Sequence, residues 1–149
     1  MNNKILSVFF MCSSVIVSSS AFADAFVPAF GGSPQEARSI CTDGSSPSTG
    51  FGPGAVVGYM AVNDPGTSPL YAVVCDRPDG GPAYTVPTGY ALVPAFSPNS
   101  LQEARSICTD GPSPSTGFGA GTVIGYPAIS NPGTSAEYAI VCLRPMQSQ

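Results

Sequence analysis

Short stretches of alternating hydrophobic and polar residues predict four β-strands in this chain. The stretches are AVVGYMAV (55–62), LYAVVCD (70–76), TVIGYPAI (122–129) and EYAIVCL (137–143). All four are rich in β-branched and aromatic residues, which are common in strands. The first stretch is followed closely by the second, and the third by the fourth, so two pairs of neighbouring strands are expected.

Each pair is joined by a segment that is typical of a tight turn. The segments are NDPGTSP (63–69) and SNPGTSA (130–136). Proline sets φ and glycine supplies a positive φ at the centre of such a turn, so each pair is predicted to be a β-hairpin. Pro127 places its strand at an edge or a bulge, because proline donates no hydrogen bond to a neighbouring strand. Met60 stands at the same place in the first hairpin, so the two edges could differ.

Two shorter strands and two loops complete the outline. AFVPAF (25–30) and ALVPAF (91–96) are predicted to be strands. SSPSTGFGPG (45–54) and PSPSTGFGAG (112–121) are predicted to be loops, since glycine, serine and proline dominate them. The chain is therefore expected to be mostly β.

The segment QEARSIC, which occurs twice, is compatible with two structures. Ser33 and Ser100 could each cap a short helix that has Gln, Glu, Ala and Arg in its first turns. The sequence RSICT could instead be a strand that leads into an Asp-Gly turn. We expect a helical turn followed by a strand.

The ten residues QEARSICTDG, at 35–44 and again at 102–111, mark a longer internal repeat. Residues 35–78 align with 102–145 at an offset of 67 without a gap, and 32 of the 44 positions are identical. The VPAF segments upstream match at an offset of 66, so the two copies differ by one residue in the loop between VPAF and QEAR.

This pattern predicts two tandem homologous repeats, each with a C-terminal β-hairpin and a short helix or strand before it. The repeats are residues 24–78 and 91–145, with a linker at 79–90 and a C-terminal tail at 146–149. We expect disulfides to stabilise both repeats, and we expect the repeats to pack about a pseudo-twofold axis.

Residues 1–23 have the features of a secretory signal peptide. Lys4 supplies a positive charge, residues 5–17 are apolar, and Ala21-Phe22-Ala23 is a small-residue cleavage site. The apolar run is shorter than the roughly 20 residues that span a bilayer, which argues against a retained anchor. Later apolar segments are also too short, so no membrane span is predicted. We expect cleavage after Ala23 and a mature protein in the bacterial periplasm or outside the cell.

Cleavage would leave four cysteines, Cys41, Cys75, Cys108 and Cys142. An even number of cysteines in an exported protein indicates disulfides. Each repeat holds its own two, so we expect the pairs 41–75 and 108–142. The alternative pairs 41–142 with 75–108 and would mean that the repeats exchange strands. A disulfide that closes a loop of this length stabilises by about 3–4 kcal/mol in the chain-entropy model.

Missing residue types exclude several kinds of chemistry. The sequence contains no histidine, the commonest general base and a usual zinc ligand. Lys4 is the only lysine and would leave with the signal peptide, which removes Schiff-base mechanisms. Neither a dinucleotide fingerprint nor a phosphate-binding loop is present. With 5 basic and 9 acidic residues, the chain is a poor match for nucleic acid. No cofactor, metal or enzymatic activity is therefore predicted.

Carboxylates are the remaining candidates for catalysis. Glu36 with Asp43, and Glu103 with Asp110, could form acid/base pairs for glycoside cleavage. Calcium binding is the other possibility, but the segment lacks the spaced acids of an EF-hand loop. A structural role fits better, because the glutamates suit a helix end and an Asp before a Gly suits a turn.

Aromatic and arginine side chains that recur in both repeats are the candidate binding residues. They are Phe51 and Phe118, Tyr59 and Tyr126, and Arg38 and Arg105. An aromatic face can stack on a sugar or a peptide, and an arginine can orient a carboxylate. Phe51 lies between glycines in a loop and is expected to be exposed. The tyrosines lie in strands, where most aromatic side chains pack on the core.

We therefore expect an exported, non-enzymatic binding module with two similar surfaces, whose ligand is an unknown glycan or an envelope or surface protein. One alternative is a structural or assembly subunit of the envelope or cell surface, which would pair through an edge strand. The other is a carboxylate-based hydrolase.

Overall fold

The computed structural model describes residues 24–63, 69–78, 84–130 and 136–147. The first half contains β1 (Asp24–Gly31), α1 (Pro34–Thr42), β2 (Ala55–Asn63) and β3 (Leu70–Pro78). The second half contains β4 (Tyr90–Ser97), α2 (Leu101–Thr109), β5 (Thr122–Ser130) and β6 (Glu137–Pro145). The predicted signal peptide, both Pro-Gly turns and the start of the linker lie outside the described residues.

Each half forms a three-stranded antiparallel sheet. The strand orders are β1-β3-β2 and β4-β6-β5. Antiparallel pairing of β2 with β3 and of β5 with β6 confirms both predicted hairpin strand pairs, and β1 and β4 confirm the two shorter strands. The protein is thus mostly β, with two similar halves. Neither helix in the described part of the chain is long and apolar enough to cross a membrane.

Both hairpins carry an irregularity in their outer strand. The register shifts at residues 58–60 of β2 and at residues 125–127 of β5. Pro127 therefore lies in an outer strand and at a bulge, as predicted. Met60 lies in the matching bulge of β2, so the proline does not cause it. Both bulges begin with a glycine of positive φ, Gly58 at 67° and Gly125 at 70°.

The repeated QEARSIC segment is helical in both halves. The Ser33 hydroxyl caps α1 by accepting a hydrogen bond from the backbone N–H of Glu36, and Ser100 caps α2 in the same way through Glu103. The expected strand over RSICT is wrong, because those residues lie inside the helices. An alanine and a cysteine four residues apart bury one face of each helix, and this packing extends the helix beyond its first turn.

A disulfide links each helix to the middle strand of its own sheet. The pairs are Cys41–Cys75, with a Cα–Cα distance of 5.5 Å, and Cys108–Cys142, with 5.7 Å. The predicted pairing within each half is confirmed, and the exchanged pairing is excluded. Two disulfides indicate that the protein works in an oxidising environment, extracellular or periplasmic.

Removal of one disulfide should cost about 3–4 kcal/mol of unfolding free energy, because the unfolded chain regains the entropy of a long loop. Urea unfolding of Cys41→Ala/Cys75→Ala against the oxidised parent measures this loss. The Cys108→Ala/Cys142→Ala variant loses a disulfide with the same sequence separation of 34, so its unfolding free energy should fall by a similar amount. A loss below about 1 kcal/mol in both variants would contradict the expectation.

The halves share part of their hydrophobic core. Val27 and Phe30 of the first half and Val93 and Phe96 of the second belong to the same buried cluster. The rings of Phe30 and Phe96 lie 5.4 Å apart between centroids. β1 lies against β5, and β2 lies against β4. Each sheet therefore has both of its outer strands covered by outer strands of the other sheet.

Candidate functional site

The candidate aromatic residues meet across the two halves. Phe51 packs edge-to-face on Tyr126, with ring centroids 5.1 Å apart, and Phe118 packs on Tyr59 at 5.0 Å. In each pair the phenylalanine comes from the loop of one half and the tyrosine from the bulge of the other. Each pair therefore combines one residue from the first predicted repeat with one residue from the second.

The exposure of these residues is the reverse of what the sequence indicates. Tyr59 and Tyr126 keep 44% and 41% of their surface exposed, although they lie in strands. Phe51 and Phe118 are half-buried and pack against the shared core, although they lie in loops. The bulge accounts for the tyrosines, because a register shift turns side chains away from the regular pleat.

The loop that carries Phe51 is held by its own backbone. The Ser46 N–H donates to the Phe51 carbonyl at 2.7 Å, and the Gly50 N–H donates to the Ser46 carbonyl at 2.8 Å. Residues 113–118 of the second half repeat both hydrogen bonds with the same lengths. A loop closed in this way presents its phenylalanine in a fixed position.

A serine from each loop also binds the outer strand of the other half. The Ser48 hydroxyl accepts a hydrogen bond from the Ile129 N–H at 3.2 Å, and the Ser115 hydroxyl accepts one from the Val62 N–H at 3.1 Å. Ser115 also donates to the Val62 carbonyl at 3.4 Å. These contacts occupy backbone groups that an added strand would need.

Exposed aliphatic side chains extend both aromatic pairs. Ile129 is 53% exposed and Val62 is 43% exposed. We define the first patch as Phe51, Tyr126 and Ile129, and the second patch as Phe118, Tyr59 and Val62. Clusters of exposed apolar side chains of this kind often mark ligand or partner sites.

A small cleft between the halves adjoins each patch. The first, of about 190 Å³, is lined by Pro28, Ser48 and Ile129 among others. The second, of about 150 Å³, is lined by the corresponding Pro94, Ser115 and Val62. Sites for drug-sized ligands usually measure about 300–1,000 Å³, so each cleft suits one small group of a larger ligand.

The two arginines proposed as ligand contacts belong to neither patch. Arg38 and Arg105 are exposed on α1 and α2. Their predicted role in ligand binding stays a prediction.

Two other arginines, which the sequence analysis missed, hold the site together. Arg77 is 1% exposed and donates hydrogen bonds to the carbonyls of Ile40, Gly44 and Gly52. Arg144 makes the matching three bonds in the second half. Burial lowers the pKa of both guanidinium groups, which remain charged because an arginine does not deprotonate in a protein. The sequence signal for these two residues was the Arg-Pro dipeptide that ends the last strand of both halves.

The candidate catalytic acids form hydrogen bonds at the ends of the helices. Glu36 accepts a hydrogen bond from the Gly32 N–H at 2.8 Å, ahead of α1. Asp43 and Asp110 cap the C-termini of the helices and accept hydrogen bonds from neighbouring threonine hydroxyls. Within the described residues, no group of three or more His, Cys, Asp or Glu side chains could hold a metal ion.

Glu103 differs from Glu36 in its partners. Its carboxylate accepts hydrogen bonds from the Ser97 hydroxyl and the Asn99 amide, both at 2.7 Å. These bonds, the Ser97 one first, lower the pKa of Glu103. A general acid in glycoside cleavage needs a raised pKa, so this environment does not favour that role.

Loss of the Ser97 hydroxyl should therefore raise the pKa of Glu103, as measured by NMR titration of its carboxylate in Ser97→Ala. The favourable contribution of these bonds is present at neutral pH and is lost as the pH falls through the pKa of the folded state. Ser106→Ala, an exposed serine on the same helix, is the matched control and should leave this pKa unchanged. An unchanged pKa in Ser97→Ala would contradict the assigned cause.

Comparison of the chain with protein-family models, with curated proteins and with solved structures finds no match. The two patches and the residues that hold them in place are therefore the candidate functional site.

Proposed function

We propose that this protein is an exported, non-enzymatic binding module that presents two equivalent patches. The observation that carries the proposal is the pair of exposed tyrosines, Tyr59 and Tyr126, each held by a phenylalanine of the other half. A fixed aromatic ring loses little conformational freedom when a ligand binds, which favours affinity. The acids that could support catalysis are engaged at helix ends.

Export rests on the predicted signal peptide at residues 1–23, with cleavage after Ala23. The proposed destination is the periplasm or the outside of a bacterial cell. The two disulfides support it, since such bonds persist in oxidising compartments.

We further infer that the halves are homologous repeats, residues 24–78 and 91–145, related by a pseudo-twofold axis. The identity of 32 of 44 aligned residues supports a duplication. The reciprocal contacts support the axis, since β1 meets β5 as β2 meets β4. Such an arrangement produces two copies of a site that neither half could form alone.

Two patches on one chain allow bivalent binding. If both engage one extended target, avidity can exceed the affinity of a single patch by about 10²–10⁴. The candidate targets are a glycan or a protein of the envelope or cell surface.

The proposal is tested by a binding screen of the mature, oxidised protein against peptidoglycan, envelope glycans and a surface-protein extract, each immobilised. Tyr59→Ser/Tyr126→Ser should abolish saturable binding and leave folding intact, because both side chains are exposed. Tyr90→Ser is the control, since Tyr90 is 44% exposed but lies outside both patches. Binding that survives the double variant, or that is lost only in Tyr90→Ser, would refute the patches as the site.

A structural subunit remains the second candidate, and the covered outer strands weigh against it. Pairing with a neighbouring protein needs free backbone groups along an edge, whereas Ser48 and Ser115 already occupy such groups. Concentration-dependent assembly without ligand binding would favour that candidate.

A hydrolase would instead lose turnover in Glu36→Gln/Glu103→Gln while staying folded.

A further inference from the structure

We propose that the ligand of both patches is a neutral oligosaccharide, one sugar unit of which enters each cleft. This inference rests on the proposed binding function and specifies its ligand class. It follows from the charge, the ring geometry and the hydrogen-bonding groups of the patches.

The patches lie in long stretches of the chain that carry no charge. Residues 44–63 and 111–136 contain no Asp, Glu, Lys or Arg, and all six patch residues fall within them. Arg77 and Arg144 line the clefts but are 1% exposed, and their guanidinium groups donate to backbone carbonyls. An ionic ligand would lose its hydration here without gaining an opposite charge, which is costly. A neutral ligand avoids that cost.

The aromatic pairs suit a flat, weakly polar partner. The edge-to-face contacts at 77° and 88° hold the tyrosines in place, while nearly half of each tyrosine remains exposed. A sugar ring offers an apolar face of C–H groups and a rim of hydroxyls. The exposed tyrosine ring can stack on the apolar face, as aromatic side chains do with flat partners.

The clefts add polar side chains that can accept hydrogen bonds, and the first cleft also offers a hydroxyl donor. Ser48 and Ser130 line the first cleft, and Ser115 and Asn63 line the second. Ser48 accepts from the Ile129 N–H, so its own hydroxyl hydrogen can be donated to a ligand. Sugar hydroxyls also donate and accept, and the cleft volumes of about 150–190 Å³ suit one unit of a chain.

A peptide is the less favoured ligand at this site. Extended peptides usually bind by pairing with the backbone of an outer strand. The N–H groups of Val62 and Ile129 are already bound by serine hydroxyls of the other half. A peptide would have to displace these bonds, whereas a sugar that stacks on the tyrosine leaves them intact.

Isothermal titration of the mature, oxidised protein provides the test. The probes are neutral hexasaccharides of glucose, mannose and N-acetylglucosamine, with an oligogalacturonate as the acidic counterpart and a digest of surface proteins as the peptide counterpart. At least one neutral probe should bind at two sites per chain. Its affinity should change less than about twofold between low and high salt, because no ion pair contributes.

Single variants separate the two patches. Tyr126→Ser should remove the first site and Tyr59→Ser the second, so each should reduce the stoichiometry from two sites to one. The double variant should not bind, and Tyr90→Ser should bind as the parent does. Neutral-sugar binding that persists in the double variant would overturn the location of the site.

The remaining outcomes distinguish the ligand class from the binding function itself. Binding of the acidic probe or the peptide digest alone, with loss in the tyrosine variants, would overturn the sugar inference and leave the binding module standing. Failure of every probe and of every fraction in the screen above would overturn both.

Discussion

Replacing both buried arginines, as Arg77→Met with Arg144→Met, is expected to leave little folded protein. Each replacement removes three hydrogen bonds to backbone carbonyls. A buried carbonyl without a partner costs about 1–3 kcal/mol. These three hydrogen bonds are only partly buried, so each arginine should contribute about 3–5 kcal/mol, in the lower part of the range for three carbonyls. The two arginines lie in different sheets and share no hydrogen-bond partner, so their losses should add, to about 6–10 kcal/mol. Domain stabilities are typically about 5–15 kcal/mol.

The large effect follows from what each arginine connects. Arg77 lies in β3, and its guanidinium group binds the Ile40 carbonyl in the last turn of α1. It also binds the carbonyls of Gly44 and Gly52, near the two ends of the loop that follows α1. Its charge also lies at the C-terminus of the helix, where the helix dipole favours a cation. Loss of the side chain frees the loop that carries Phe51.

Urea unfolding followed by far-UV circular dichroism measures this loss. Arg38→Met/Arg105→Met is the matched control, because those arginines are exposed on the helices, and it should cost less than about 0.5 kcal/mol per site. Arg77→Lys should lose an intermediate amount, since a lysine keeps the charge but not the planar fork that spans three carbonyls. Similar losses in the buried and exposed variants would contradict the assignment.

The second large effect is expected at the two glycines that begin the bulges. Gly58 and Gly125 have positive φ, and each lies against the backbone of the other half. A Cβ at Gly58 would clash with the Leu92 carbonyl oxygen, and one at Gly125 would clash with that of Phe26. Alanine would therefore force β2 away from β4, or β5 away from β1.

Each such substitution should cost about 2–5 kcal/mol. Left-handed backbone accounts for about 1–2 kcal/mol, and displacement of a packed neighbour for about 1–3 kcal/mol more. The Gly58→Ala/Gly125→Ala variant should consequently lose much of its folding stability, while the single variants keep the measurement possible.

The repeat offers a control for the backbone contribution. Gly50 and Gly117 also have positive φ, at 75° and 71°, but a Cβ at either would meet nothing within 4 Å. Gly50→Ala/Gly117→Ala should therefore lose only the left-handed penalty, about 1–2 kcal/mol per site. The additional loss of unfolding free energy in Gly58→Ala/Gly125→Ala measures how closely the halves approach. An equal loss in Gly50→Ala/Gly117→Ala would refute that contact.

Much of the fold of one half is encoded locally and could be predicted. Alternation and Pro-Gly segments predicted the hairpins, because strand pattern and turn geometry depend on neighbouring residues. Ser33 and Ser100 predicted the helix starts, since a cap is a contact over three residues. The repetition of one cysteine pair per copy predicted the disulfides, because a duplicated unit retains its own links.

The features that make up the candidate site depend on packing between the halves. QEARSICT stayed ambiguous because the choice between helix and strand was made by burial of one face against the sheet, which the local pattern does not contain. Phe51 meets Tyr126, rather than a residue of its own repeat, because the shared core brings the loop of one half onto the bulge of the other. The same packing exposes Tyr59 and Tyr126 and buries Arg77 and Arg144. The sequence by itself thus specified the repeated unit, and only the tertiary structure combined two such units into two candidate sites.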